Sequence, residues 1–222
     1  MIPVITVDGP SGVGKGTVCG HLSNRLGFHL LDSGSLYRLT GLAVRQQGVG
    51  FHDPERCADV ATALDARFAN DGGLRVYLNE LDVTRAIRTE QASQDASVVA
   101  AMQPVRDALM QWQRDAAQAP GLIADGRDMG TTVFPLAGLK IYLDASPEQR
   151  AQRRFLQLRE TDKSVTLAAI LRDLEIRDAR DSERAASPLQ AASDARVLDT
   201  SPLSQPDMLA IVDQWVDQYL GR

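Results

Sequence analysis

Apolar residues along the chain fall into two patterns. Short continuous runs occur at Ile2–Asp8 (IPVITVD), Phe28–Asp32 (FHLLD), Gly121–Asp125 (GLIAD), Leu139–Asp144 (LKIYLD) and Ala195–Asp199 (ARVLD). Runs of this length and composition predict strands of a parallel sheet, buried on both faces. Between them apolar residues recur at helical spacing. Val18, Leu22 and Leu26 predict one helix, and Leu36–Leu39 opens another that runs to about Gln47 and stops at Gly48. Ser146, with Gln149 three residues on, is an N-cap signal, and Thr166 caps a further helix through about Arg180. Met208, Ile211, Val212, Trp215, Val216 and Leu220 form the inward stripe of a helix over Ser204–Leu220. The alternation predicts an α/β fold: five parallel strands with helices on both faces.

One interval breaks the alternation. About 90 residues separate the second and third runs, too many for an ordinary crossover. Asp53-Pro54 starts a helix to about Leu64, with Asp at the N-cap and Pro at the first position. Asp65–Phe68, Leu74–Leu78 and Leu81–Thr84 predict short strands, joined by a hairpin at Gly72-Gly73 and a tight turn at Asn79-Glu80. Helices follow over roughly Glu90–Met102 and from Pro104 to about Gln118. This α/β piece, about residues 60–103, is expected to be a substrate-recognition insert within a single domain spanning 1–222. Asn79-Glu80-Leu81-Asp82 superficially matches a guanine-reading NKxD, but it lacks the lysine and falls in the hairpin, so it is taken as a turn.

Composition narrows the function classes. The 222 residues carry a net charge of −5, against general affinity for nucleic acid or membrane surfaces. The two cysteines form no CxxC, and the three histidines have no ligand spacing. No run approaches a membrane span, and the chain enters its first strand without a leader-like segment, so a soluble cytoplasmic enzyme is expected. Arginine outnumbers lysine 21 to 3. That bias fits either a GC-rich genome or phosphate clamping, for which arginine is the better residue, so position must decide.

The chemistry starts after the first strand, at Gly9-Pro10-Ser11-Gly12-Val13-Gly14-Lys15-Gly16-Thr17. Strand, glycine loop and helix is the setting of a phosphate-binding loop. Glycines let backbone N–H groups crowd around phosphate oxygens, and the helix N-terminus adds positive potential. Lys15 is placed to reach the β- and γ-phosphates, and Thr17 lies near the expected metal ion. A strict motif has Ser or Thr directly after the lysine. The GKGT variant resembles the nucleoside monophosphate kinases rather than the switch GTPases.

Further candidates lie at strand exits, where open α/β sheets bind ligands. Asp32-Ser33-Gly34-Ser35 precedes Arg38, and Asp125 precedes Gly126-Arg127-Asp128-Met129-Gly130. Eight arginines lie between 150 and 184, interleaved with Asp173, Glu175, Asp178 and Asp181, so several are surface ion pairs. Arg177, Asp181 and Arg184 share one helical face, as do Arg150, Arg153 and Arg154. These helices could close over a transferring phosphoryl group as a lid, about residues 150–165.

GPSGVGKGT, LDSGSLYR, IADGRDMGT and IRDARDSERAASPL, in this order and spacing, resemble the bacterial cytidylate kinases from Pro3 to the C-terminal helix. The resemblance implies transfer of the γ-phosphoryl group of ATP to CMP or dCMP with Mg²⁺, by a monomeric enzyme. Gly9, Pro10, Ser11, Gly12, Val13, Gly14, Lys15, Gly16 and Thr17 would then hold ATP. Ser33, Arg38 and Arg127 would contact the acceptor phosphate, and Asp128 the pyrimidine. Ser97, Arg106 and Arg184 match positions that recognise cytosine, and Arg177 and Asp181 those that hold the pentose. Lys15, Arg127, Asp128 and Arg177 are the expected catalytic set. Two other readings are a P-loop kinase for a different acceptor and a nucleotide-dependent switch without phosphotransfer. The switch would require an NKxD and a switch loop, which the sequence lacks.

Overall fold

A computed structural model describes residues 2–70, 74–159 and 165–221. In chain order the elements are β1 (Val4–Asp8), α1 (Lys15–Leu26), β2 (His29–Asp32), α2 (Ser33–Gln46), α3 (Pro54–Thr62), β3 (Ala66–Asn70), β4 (Leu74–Leu78) and β5 (Leu81–Asp82). There follow α4 (Glu90–Val99), α5 (Gln103–Asp115), β6 (Leu122–Gly126), β7 (Leu139–Asp144), α6 (Pro147–Leu158), α7 (Leu167–Glu183), β8 (Arg196–Asp199) and α8 (Gln205–Leu220). The chain divides into two compact units. One comprises residues 1–32 and 116–222, the other Ser33–Asp115.

The first unit holds the five-stranded sheet, in the order β2-β6-β1-β7-β8, with every pairing parallel. All five runs expected to be strands are strands. β1 is central, and the chain leaves it toward opposite edges of the sheet in its two halves. The C-terminal ends of β1, β6 and β7 therefore bound the crevice where such sheets take ligands. Asp8 stands opposite Gly126 on β6 and Tyr142 on β7, and Asp32 opposite Asp125. Ile5, Val7, Ile123, Ile141 and Leu143 pack with Val18 and Leu22 of α1 and with Met208, Val212 and Val216 of α8. The caps follow the sequence: Ser146, Thr166 and Ser204 each accept a backbone N–H three residues on.

The second unit contains the antiparallel sheet β3-β4-β5 and helices α2 to α5, with residues 60–103 in its middle. Leu36, Leu39 and Val44 of α2 share a core with Val60, Val76, Leu78, Val99 and Leu109. Asn79 (φ 48°) and Glu80 (φ 63°) both adopt left-handed backbone, as a two-residue hairpin turn requires. The strand expected over Leu81–Thr84 stops at Asp82. The Thr84 hydroxyl accepts the Val76 N–H at 2.9 Å, taking the place of a ladder partner. The hairpin expected at Gly72-Gly73 lies outside the described residues, as do residues 160–164 of the expected lid.

Gly9 fixes how the phosphate loop leaves the sheet. Its φ is 144°, and a Cβ there would lie 2.1 Å from the Leu143 carbonyl oxygen of β7. Gly9→Ala is expected to cost on the order of 3 kcal/mol, read as a lower urea midpoint; an unchanged midpoint would show that this close approach is not needed.

Candidate active site

The loop between β1 and α1 wraps toward its own lysine. Gly14 caps α1 in left-handed backbone (φ 102°), where a side chain would be strained. Lys15 is buried, and its Nζ donates to the Pro10 carbonyl at 2.9 Å. Burial pulls its pKa down to about 8; Arg127 and Arg177 push the same way, and Asp125 opposes them. The ammonium thus sits inside the loop that has to surround phosphate. Thr17 lies exposed on the first turn of α1.

Two side chains from distant segments brace the loop. Arg150 of α6 is buried; its Nη1 donates to the Ser11 carbonyl at 3.2 Å and its Nε to the Ala145 carbonyl at 3.0 Å. Its Nη2 pairs with Asp178 of α7 at 2.6 Å. Thr200 follows β8. Its hydroxyl lies 3.1 Å from the Val13 carbonyl and 3.0 Å from that of Asp144, and accepts from Arg153 Nη1 at 3.1 Å. Of the arginines grouped on one lid face, Arg150 and Arg153 are thus committed to internal partners.

The β6 exit holds the densest charge. Arg127 Nε donates to Asp181 of α7 at 2.9 Å, and Arg177 Nε stands 3.9 Å from the same oxygen. Arg184 Nη2 lies 3.7 Å from Asp128 Oδ1, while its Nε donates to the Ser187 carbonyl at 2.8 Å. Burial pushes the Asp181 carboxyl up, but Arg127, Arg177 and Arg184 outweigh it and hold the group below its ordinary range. Arg127 is raised: Asp181, Asp125 and Asp178 together overcome its burial. Among the described residues the two Nη groups of Arg127 make no hydrogen bond, so Asp181 grips one edge of the guanidinium and leaves the fork open. Arg127 and Asp128, proposed from one motif, and Arg177, Asp181 and Arg184, proposed from another some 50 residues on, form one cluster.

The second unit carries the other candidates. Ser33 is the buried first residue of α2, and Arg38 Nη1 donates to the Ile87 carbonyl at 3.2 Å. Arg106 of α5 is 1% exposed. Its Nη1 donates to the Ala100 carbonyl at 3.3 Å, at the end of α4, and its guanidinium lies 5.8 Å from the Tyr37 ring centroid. Ser97, in the last turn of α4, is buried with a hydroxyl oxygen that has no hydrogen-bond partner among the described residues. A buried polar atom left unpaired is uncommon and calls for a physical explanation.

Three residues here were not singled out from sequence. They are Asp178, Thr200 and Asp8, whose carboxylate accepts two backbone N–H groups from the turn after Asp128. Burial pushes the Asp8 carboxyl up to about 7 against those two bonds. A signal existed for Asp8: a carboxylate closing an apolar buried strand has to find donors.

The family model described as cytidylate kinase matches residues 5–218. The chain is 49% identical to the cytidylate kinase of Cupriavidus pinatubonensis, covering 97% of this chain and 96% of that one. It is 52% identical to that of Pseudomonas aeruginosa, covering 91% and 90%. It is 47% identical to that of Aeromonas salmonicida, covering 100% and 96%. A solved structure of an uncharacterised protein from Eubacterium ventriosum shares the fold, with TM-score 0.54 at 8% identity over 98% of this chain and 99% of that one.

The Arg150–Asp178 pair is open to a double-mutant cycle. Arg150→Ala and Asp178→Ala are each expected to cost about 2 kcal/mol, because each strands a charge, and the double variant less than their sum. Strictly additive losses in urea denaturation would show that the pair does not act as a unit.

Proposed function

The chain belongs to the cytidylate kinase family and phosphorylates CMP with ATP; from that premise we propose how its residues divide the work. The observation that carries the reading is the cluster of partly buried Arg127, Arg177 and Arg184 on the buried carboxylates of Asp181 and Asp128, with Lys15 in the neighbouring loop. Gly9 to Thr17 hold the ATP phosphates. Arg127, with Ser33 and Arg38, holds the acceptor phosphate. Arg177 and Asp181 hold the pentose, and dCMP is accepted beside CMP. Mg²⁺ suits the Thr17 hydroxyl, a hard oxygen donor, which would hold it together with the phosphates of ATP. Bound there, it would offset charge on the transferring group. The enzyme acts in the cytoplasm as a monomer; among the described residues no helix is long and apolar enough to cross a membrane.

The chemistry asks for positioning and charge compensation rather than for a strong base. The acceptor is a phosphate oxygen and already nucleophilic. What opposes reaction is repulsion between two anions brought into line. Lys15 and the open fork of Arg127 supply donors held in place before reaction, so little reorganisation remains at the transition state. Selectivity for cytosine comes from acceptors facing its exocyclic amine, at Asp128 or Ser97, and donors facing its ring acceptors, at Arg106 and Arg184. Uracil presents a carbonyl where cytosine has the amine, leaving a buried acceptor unpaired at a cost of about 1–3 kcal/mol.

Two measurements test these roles. Arg38→Ala and Arg127→Ala should each lower turnover with CMP by at least ~100-fold with the fold retained; near wild-type kinetics in either removes it from the acceptor site. Asp128→Asn replaces an acceptor oxygen with an amide that can donate to uracil, so the ratio of kcat/KM for CMP over UMP should shrink. An unchanged ratio would end the base-reading role.

A further inference from the structure

Asp8 is the last residue of β1 and is 5% exposed. Its Oδ1 accepts from the Met129 N–H and its Oδ2 from the Gly130 N–H, both at 2.8 Å. These donors open the π-helical turn Met129–Val133, which directly follows Arg127 and Asp128. The approach is close on both sides: a Cβ at Gly130 would lie 2.9 Å from Thr6 Oγ1 and 3.3 Å from Asp8 Oδ2. In the other direction Asp8 is followed by Gly9, whose own position is set by the Leu143 carbonyl. One carboxylate therefore joins the root of the phosphate loop to the turn that presents Arg127 and Asp128.

The joint asks for a carboxylate in particular. Two convergent N–H groups require two acceptor oxygens. An asparagine would turn one of them into a donor facing a donor. Each oxygen of Asp8 holds one of these backbone N–H groups, while Asp128 and Lys15 act on its charge only through space. We propose that Asp8 is a positioning residue: through the N–H groups of Met129 and Gly130 it sets Arg127 and Asp128 for the acceptor nucleotide, in register with the loop that holds the donor. The inference rests on the reading of Arg127 and Asp128 as acceptor contacts. A displacement of about 1 Å at such contacts is enough to cost ~100-fold.

The test compares Asp8→Asn and Gly130→Ala in the full chain, with Arg127→Ala and Asp128→Asn alongside. Steady-state kinetics are recorded with CMP and UMP at saturating ATP, and with ATP at saturating CMP. Urea midpoints report stability separately. Asp8→Asn should lower kcat/KM for CMP by ~10- to 100-fold and narrow the CMP-to-UMP ratio, with KM for ATP within about twofold of the parent. Gly130→Ala perturbs the same joint from the other side and should give the same split, which keeps the test decisive if Asp8→Asn folds poorly. A lower urea midpoint with CMP kinetics unchanged in the folded fraction would overturn the proposal and leave Asp8 a merely structural residue. A loss confined to ATP would also overturn it, assigning Asp8 to Lys15. If Arg127→Ala and Asp128→Asn themselves leave CMP kinetics unchanged, the acceptor reading fails and the inference with it. If they impair CMP use and neither joint variant does, only the inference fails.

Discussion

Like charges crowded beyond the C-terminal ends of β1 and β6 are the constraint that the rest of the first unit answers. In the proposed division of roles Lys15 and Arg127 meet phosphates while Arg177 and Arg184 meet the nucleoside, yet all four cations must coexist before any ligand arrives. Burial alone would expel or neutralise such groups. The fold answers with carboxylates. Asp181 takes Arg127 Nε and lies near Arg177, Asp128 faces Arg184, and Asp125 offsets both Lys15 and Arg127. Buried ion pairs of this kind are poor sources of net stability. Their value here is that each cation is already aimed. Lys15 shows the remaining strain, with a pKa pulled down to about 8.

Aiming depends on backbone as much as on charge. The phosphate loop is gripped at three carbonyls: Pro10 by Lys15, Ser11 by Arg150 and Val13 by Thr200. Those side chains come from α1, from α6 and from the segment after β8. Arg150 also reaches Asp178, the neighbour of Arg177 on α7. The helix that carries Arg177 and Asp181 is therefore tied to the loop that carries Lys15. Stabilising charge by fixed dipoles and ions requires that they not relax, and these ties limit relaxation.

The sequence made the local features legible. Strand, glycine loop, lysine and helix are contiguous, and Arg177, Asp181 and Arg184 are spaced along one helix, so short-range rules suffice for both. Pairings across the chain were not legible. Asp181 meets Arg127 from 54 residues away, and no periodicity announces it. Arg150 illustrates the limit of a helical face: its grouping with Arg153 and Arg154 was sound, but a face does not say what it will meet, and this one turns inward to Ser11 and Asp178. Ser97 and Arg106 were chosen by motif resemblance. That Arg106 reaches back to the Ala100 carbonyl at the end of α4 follows from how α4 and α5 connect, and the unpaired Ser97 hydroxyl is a feature of the packed fold that no local pattern announces.

The claim that this charge cluster receives the phosphate of a cytosine nucleotide is tested most directly by an acceptor comparison. ADP release would be followed with ATP and Mg²⁺ against CMP, dCMP, UMP and AMP, beside a control with no acceptor. The account predicts fastest turnover with CMP and dCMP and little ADP without an acceptor. Preference for UMP or AMP would contradict the roles given to Ser97, Arg106, Asp128 and Arg184. ADP release that ignores the acceptor would contradict the account of the cluster itself.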